Sequence, residues 1–181
     1  MYFMRKVLGQ TFFDRDTTIV AKELLGKFLV RKEGDKEIAV IITETEAYDG
    51  LQDRASHAFK GRTPRTEVMF GAPGIFYVYL CYGMYYLLNI VTREASYPAA
   101  VLIRGGVGDN ALLNGPGKLT RFLNINAAMN RQRAVKASGL WFEDRGIIIQ
   151  PSAIKKTARI GVAYAKSPWA LKKLRFVWQW S

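Results

Sequence analysis

An α+β domain is what this 181-residue sequence predicts, and three observations predict it. Short strand-like runs outnumber helical ones. The helical runs fall between them without the strict alternation that a parallel βαβ sheet needs. Hydrophobic residues make up 49% of the chain, enough at this length for one core without staples. A single domain over residues 1–181 is therefore expected. Composition also excludes classes of protein. The one cysteine, Cys81, excludes an internal disulfide. One cysteine with one histidine excludes thiolate or histidine-rich zinc sites and iron–sulfur clusters, and leaves a carboxylate-only Mg²⁺ site open but unsupported. The stretch MYFMRKVLGQTFF lacks the long apolar region and small-residue cleavage site of a signal peptide.

The elements follow in order. DRDTTIVAKELLGK reads as a short helix: Asp14 or Asp16 caps it, Val20, Leu24 and Leu25 give an apolar face, and Gly26 stops it. Lys27–Arg31 reads as a strand, 33–36 as a turn and Glu37–Tyr48 as a second strand. DGLQDRASHAFKGRTPR is loop, with room for one helical turn, and GAPG at 71–74 is a turn. Ile75–Val91 has 17 residues and no charge, but it is short for a membrane span of roughly 20 residues and is broken by Gly83. It reads as a buried strand pair folding back at Tyr82-Gly83-Met84, and no membrane association is expected. PAAVLIR at 98–104 is a further strand, and a helix starts near Pro116, a favoured first-turn position. Residues 127–137 read as another helix, and Gly146–Gln150, Ala158–Tyr164 and Leu174–Trp178 as closing strands.

Charge points to a partner. Lys and Arg total 27 against 15 acids, a net +12, and from Phe122 to Ser181 there are 11 basic residues against only Glu143 and Asp144. A one-sided basic bias fits a polyanion such as nucleic acid, or simply a basic surface. An anionic membrane surface fits less well, because no basic amphipathic helix with a Trp/Leu face stands out.

Two stretches carry candidate chemistry. In AVIITETEAY (39–48), strand alternation puts Val40, Ile42, Glu44, Glu46 and Tyr48 on one side. Two carboxylates then follow two apolar residues, about 7 Å apart by strand rise. That is a place for a general base with a raised pKa, or for a strand emerging into solvent with ordinary surface acids. YVYLCYGMYYLLNI (77–90) holds five tyrosines around one glycine. Tyr82 at a hairpin tip is outside its own core, and Tyr48 and Tyr79 suit an aromatic pocket for a base taken out of a stack; an aromatic-rich core strand is the plainer reading. His57, the only histidine, has no nucleophile elbow to serve.

Taken in order, ETEAY (44–48), SHAF (56–59), RTPR (62–65), the 69–89 run, VLIR (101–104), LNGPGKL (113–119) and RIGV…LRF (159–176) resemble the alkyladenine (3-methyladenine) DNA glycosylase family, from about Leu8 to Phe176. The resemblance implies a curved, mostly antiparallel sheet with surrounding helices and a protruding β-hairpin. It implies a monofunctional base-excision repair enzyme without metal or cofactor. Such an enzyme hydrolyses the N-glycosidic bond of alkylated or deaminated purines: 3-methyladenine, 7-methylguanine, hypoxanthine and ethenoadenine. Carried over by residue, Glu46 is the general base. Arg104 helps to hold the water and the adjacent phosphate. Tyr48, His57 and Tyr79 sandwich the flipped base, Asn89 at the pocket floor crowds the amine of normal guanine, and Tyr82 is the wedge in the minor groove. Lys118 meets a phosphate, or is a solvated helix lysine. The partner implied is double-stranded DNA with damaged purines, met by a monomer, cytoplasmic in a prokaryote and nuclear in a eukaryote. A non-catalytic nucleic-acid-binding module of the same fold is the alternative. Two stretches depart from the family pattern: the short Gly-rich run after Arg104, where the family carries a longer basic insertion, and LQDR at 51–54, usually more acidic.

Overall fold

The computed structural model describes residues 5–179, and within them one antiparallel sheet of ten strands, not closed into a barrel, carries three short helices. Met1–Met4, the start of the stretch read for a signal peptide, lie outside the described residues. In chain order the elements are β1 (Lys6–Val7), α1 (Gln10–Phe13), α2 (Thr17–Glu23), β2 (Phe28–Glu33), β3 (Lys36–Asp49), β4 (Phe76–Cys81), β5 (Tyr85–Val91) and β6 (Ala99–Gly108). They continue with β7 (Ala111–Asn114), α3 (Pro116–Phe122), β8 (Leu140–Asp144), β9 (Ile154–Thr157) and β10 (Arg175–Trp178). The main path runs β1-β8-β2-β3-β6-β5-β4, with β7 on β6 and β10 between β3 and β9. Every pairing is antiparallel.

Helix α2 starts where its cap is. Asp16 accepts the Thr18 and Ile19 N–H groups at 2.9 and 3.1 Å, and Gly26, at φ 76°, turns the chain into β2. Val20, Ala21 and Leu24 are buried against Leu29, Val40, Ile42, Val101, Ile103 and Phe142, the main core beneath one face of the sheet. The other face is covered by loops. Ala58, Val68 and Met69 pack on Tyr77, Val91 and Ala100, while Val162 and Ala165 pack on Ala55 and Tyr48. A cleft opens between these two loop clusters.

The alternation expected along β3 does not survive intact. Between Ile42 and Thr45 the register with β6 slips: Ile42 pairs Gly106, Glu44 pairs Gly105 and Thr45 pairs Ile103. Thr43 and Arg104 have no partner in that register. Skipping Thr43 inverts the faces of β3 downstream of it, and skipping Arg104 does the same for β6. Val40 and Ile42 therefore lie in the helix-side core together with Ala47, whereas Glu44, Glu46 and Tyr48 turn to the cleft side. The two carboxylates share a face as expected, but not with Val40 and Ile42.

The C-terminal third also departs from expectation. Residues 127–137 hold no α-helix; 3₁₀ turns at Ala127–Met129 and Lys136–Ser138 flank a segment tied to Phe76 of β4 through Arg131 and Gln132, and to Gly74 just before it through Ala134. Gly146–Gln150 is irregular, and the strand lies just before it, at β8, where Leu140, Trp141 and Phe142 are buried. Ala158–Tyr164 is loop rather than strand, because the Ile160 N–H is taken by a carboxylate instead of a ladder. The strand pair β4–β5, the strand β6, the helix at Pro116 and the closing strand β10 stand where the sequence puts them.

Candidate active site

Antiparallel register builds the floor of the cleft, since directly opposed residues share a face. Tyr77 pairs Asn89, Asn89 pairs Leu102, Leu102 pairs Glu46 and Glu46 pairs Arg175, one row across five strands. Neighbouring strands lie about 4.8 Å apart, so Glu46 and Asn89 stand roughly 10 Å apart with Leu102 between them. Above this row is a cleft of about 720 Å³. Its walls include Tyr48, His57, Tyr79, Tyr82, Asn89, Arg104 and Lys118, which are all the residues expected at the site except Glu46.

Glu46 is immediately behind that wall, with no exposed surface. Its Oε2 accepts the Tyr48 hydroxyl at 2.8 Å. Its Oε1 accepts the Ile160 N–H at 2.8 Å and lies 3.5 Å from Arg104 Nε. Burial pushes the Glu46 carboxyl up, against the opposing pull of Arg104, the Ile160 N–H and the Tyr48 hydroxyl, and with a further push from Glu44. Glu44 is itself the hub of a second set: its Oε1 accepts from Arg104 Nε at 2.8 Å and from Arg175 Nε at 2.6 Å. Tyr48 is pushed well above the ordinary phenol value, chiefly by burial and then by Glu46, so it remains a donor.

In the aromatic wall His57 meets Tyr79 edge to face, and Tyr77 and Tyr79 are tilted to each other. The His57 ring lies 4.8 Å from Tyr79 in a T-shaped contact, and Tyr77 lies 5.1 Å from Tyr79. His57 Nδ1 is 2.8 Å from the Tyr77 hydroxyl. Burial, with Arg65 and Lys60 nearby, lowers the imidazole to about 4. Asn89 is buried and donates to the Tyr77 carbonyl at 3.1 Å, which fixes its amide on the floor. Tyr82 is 86% exposed at the tip of the β4–β5 hairpin. Tyr82 and Gly83 both take positive φ (51° and 67°), the sign pattern of a type I′ turn, which matches the twist of paired strands. Lys118, in the first turn of α3, donates to Asn114 Oδ1 at 2.6 Å on the rim.

Several wall residues are not among those expected at the site. Arg65 lies over the Tyr79 ring at 4.9 Å, and Arg121 over Tyr85 at 5.5 Å. Tyr164 donates to the Ala55 carbonyl at 2.7 Å, closing the end of the cleft. Among the described residues, no three His, Cys, Asp or Glu side chains gather as a metal site would need. No described helix is long and apolar enough to cross a membrane.

The family model described as methylpurine-DNA glycosylase (MPG) matches residues 11–181, so the class is that of the DNA glycosylases, repair enzymes. A Rickettsia peacockii protein named "Putative 3-methyladenine DNA glycosylase" is 46% identical over 158 residues, covering 86% of this chain and 82% of its own. Proteins of the same name from Methanocella arvoryzae and Desulfitobacterium hafniense are 44% and 39% identical; they cover 94% and 91% of this chain and 91% and 93% of their own. The chain belongs to the methylpurine-DNA glycosylase family.

Proposed function

We propose that this protein is a monofunctional glycosylase that binds duplex DNA as a monomer, turns a damaged purine into the cleft and hydrolyses its N-glycosidic bond. Alkylated and deaminated purines are its substrates: 3-methyladenine, 7-methylguanine, hypoxanthine and ethenoadenine. It works where the DNA is, in the cytoplasm of a prokaryote or in a nucleus. The observation that carries this reading is Glu46: a buried carboxylate set behind an aromatic cleft and held by a phenol, a peptide N–H and a guanidinium.

The chemistry needs few groups. Oε2 of Glu46 accepts from Tyr48 alone among the described donors, which leaves it a lone pair for water. A water admitted with the nucleotide gives its proton to Glu46 and attacks C1′. The bond from C1′ to the purine nitrogen breaks, and its electron pair leaves with the base. The carboxylate faces the positive sugar of the oxocarbenium-like state. An alkylated purine is already cationic and leaves as a neutral base, whereas a neutral one such as hypoxanthine leaves as its anion and takes a proton from water. Arg104, placed by Glu44, orients the water and the neighbouring phosphate. Tyr48, His57 and Tyr79 stack the flipped base, Asn89 crowds the exocyclic amine of normal guanine, Tyr82 fills the vacated stack, and Lys118 meets the backbone. Damaged pairs stack less well, so their extrusion costs less.

Duplexes bearing a single 3-methyladenine, hypoxanthine or ethenoadenine, treated with alkali after incubation, reveal abasic sites as strand breaks. Glu46→Gln is expected to slow base release by roughly 10²–10⁴-fold, the usual worth of a general base, with lesion binding retained. Equal loss of binding and release removes the base role from Glu46. A wild-type protein that binds all three lesions and cuts none is instead the non-catalytic module.

A further inference from the structure

One buried ion pair lies beside the site without lining the cleft. Arg159 is in the loop expected to be a strand, and its side chain has no exposed surface. Its guanidinium forks onto Asp53, Nη1 to Oδ2 at 2.5 Å and Nη2 to Oδ1 at 2.8 Å, and Nη1 also donates to the Ala47 carbonyl at 2.8 Å. The same guanidinium lies 4.6 Å from the centre of the Tyr48 ring. Asp53 also accepts the N–H groups of Asp49 and Ala55, which pins the loop that leads to His57. The next residue after Arg159 is Ile160, whose N–H binds Glu46.

Stability alone is a weak reason for such a pair. Desolvating two charges costs about as much as their attraction returns, and well-packed apolar residues of similar volume often do as well. Arg159 Nε finds no partner among the described atoms, a further cost. What the pair does hold is geometry. Tyr48 and Ile160 supply a donor to each oxygen of Glu46, and Arg159 contacts the ring of one and is covalently next to the peptide of the other.

We propose that Arg159 and Asp53 form a positioning unit: by locking the Tyr48 ring and the Ile160 peptide, they fix the two donors that orient the Glu46 carboxylate. This rests on Glu46 being the base. A misplacement of about 1 Å at a reacting group is enough to cost around 100-fold in rate.

Single-turnover excision on a duplex with one 3-methyladenine, at saturating protein and across pH, tests it with Asp53→Asn and Arg159→Lys. Both substitutions break the fork and keep the volume close. Excision is expected to slow by roughly 10- to 100-fold while lesion-duplex affinity holds. The acid limb of the rate is expected to move to higher pH. Glu46 loses two stabilising donors there, while Arg104 and Glu44 are unchanged; Arg159, the other charged group that faces Glu46, keeps its positive charge in Arg159→Lys, the variant in which this shift is read. Folded variants with wild-type rates overturn the proposal. So does a parallel loss of rate and binding with the acid limb unmoved, because that is a structural role only. A wild-type protein that excises nothing overturns the Glu46 reading instead. Should neither variant fold, the wild-type amide of Ile160 decides. Ile160 is half exposed, yet its amide is expected to exchange slowly and to follow the Glu46 titration; exchange at free-loop rates overturns the proposal.

Discussion

The His57 imidazole stays neutral well into acid, and that ties it to folding. Its folded value is about 4 against an ordinary 6.5, lowered by burial and then by Arg65 and Lys60. The unfolded chain therefore binds the extra proton first. The stability that comes from the neutral ring is fully present above pH 6.5 and is lost as pH falls from there through about 4. Urea midpoints of the wild type and His57→Gln are expected to differ most near neutrality and to converge towards pH 4. A constant gap means the ring is not held neutral. Sequence alone reaches His57, Tyr79, Asn89 and Glu46 through their motifs. It does not reach the pairing of Asp53 with Arg159: Arg159 opens the RIGV motif, but nothing in that motif or in the polar loop around Asp53 tells that the two meet across 106 positions.

At the scale of strands, the double slip between β3 and β6 decides which face the carboxylates take. It is illegible in either strand by itself, because a bulge is a property of a pairing rather than of a run of residues. Gly106 is part of its mechanism. A Cβ there meets Val40 Cγ1 inside van der Waals contact and stands 2.5 Å from the Ile41 carbonyl. Gly106→Ala is expected to cost about 1–3 kcal/mol, which lowers Tm by roughly 3–10 °C in scanning calorimetry. An unchanged Tm means that the two strands part easily at this point. The hairpin and β6 are long enough for the period-two pattern to show them. β8 is not: three apolar residues followed by two acids fit neither period, and only burial between β1 and β2 makes them a strand.

For the molecule as a whole, the basic excess meets the cleft at its rim. Arg65, Lys118 and Arg121 line it, and none of the three is in an ion pair with a described carboxylate. With three phosphates neutralised, log K against log salt is expected to fall with a slope of roughly −3, steeper if the C-terminal lysines also reach the backbone. A slope near zero in fluorescence-anisotropy titrations denies an electrostatic docking face. The fold class is legible from composition and the order of runs, whereas the arrangement of the tail is not, because its strands are four or five residues long and two of them, β8 and β10, find partners far upstream. One of those partnerships bears on how the molecule comes to life. Arg175 reaches Glu44 across 131 positions, and β10 zips onto β3 right beside Glu46. Long-separation contacts close slowly, since loop entropy must be overcome first. A renaturing chain thus regains compactness ahead of competence, and the enzyme is born last at its own centre.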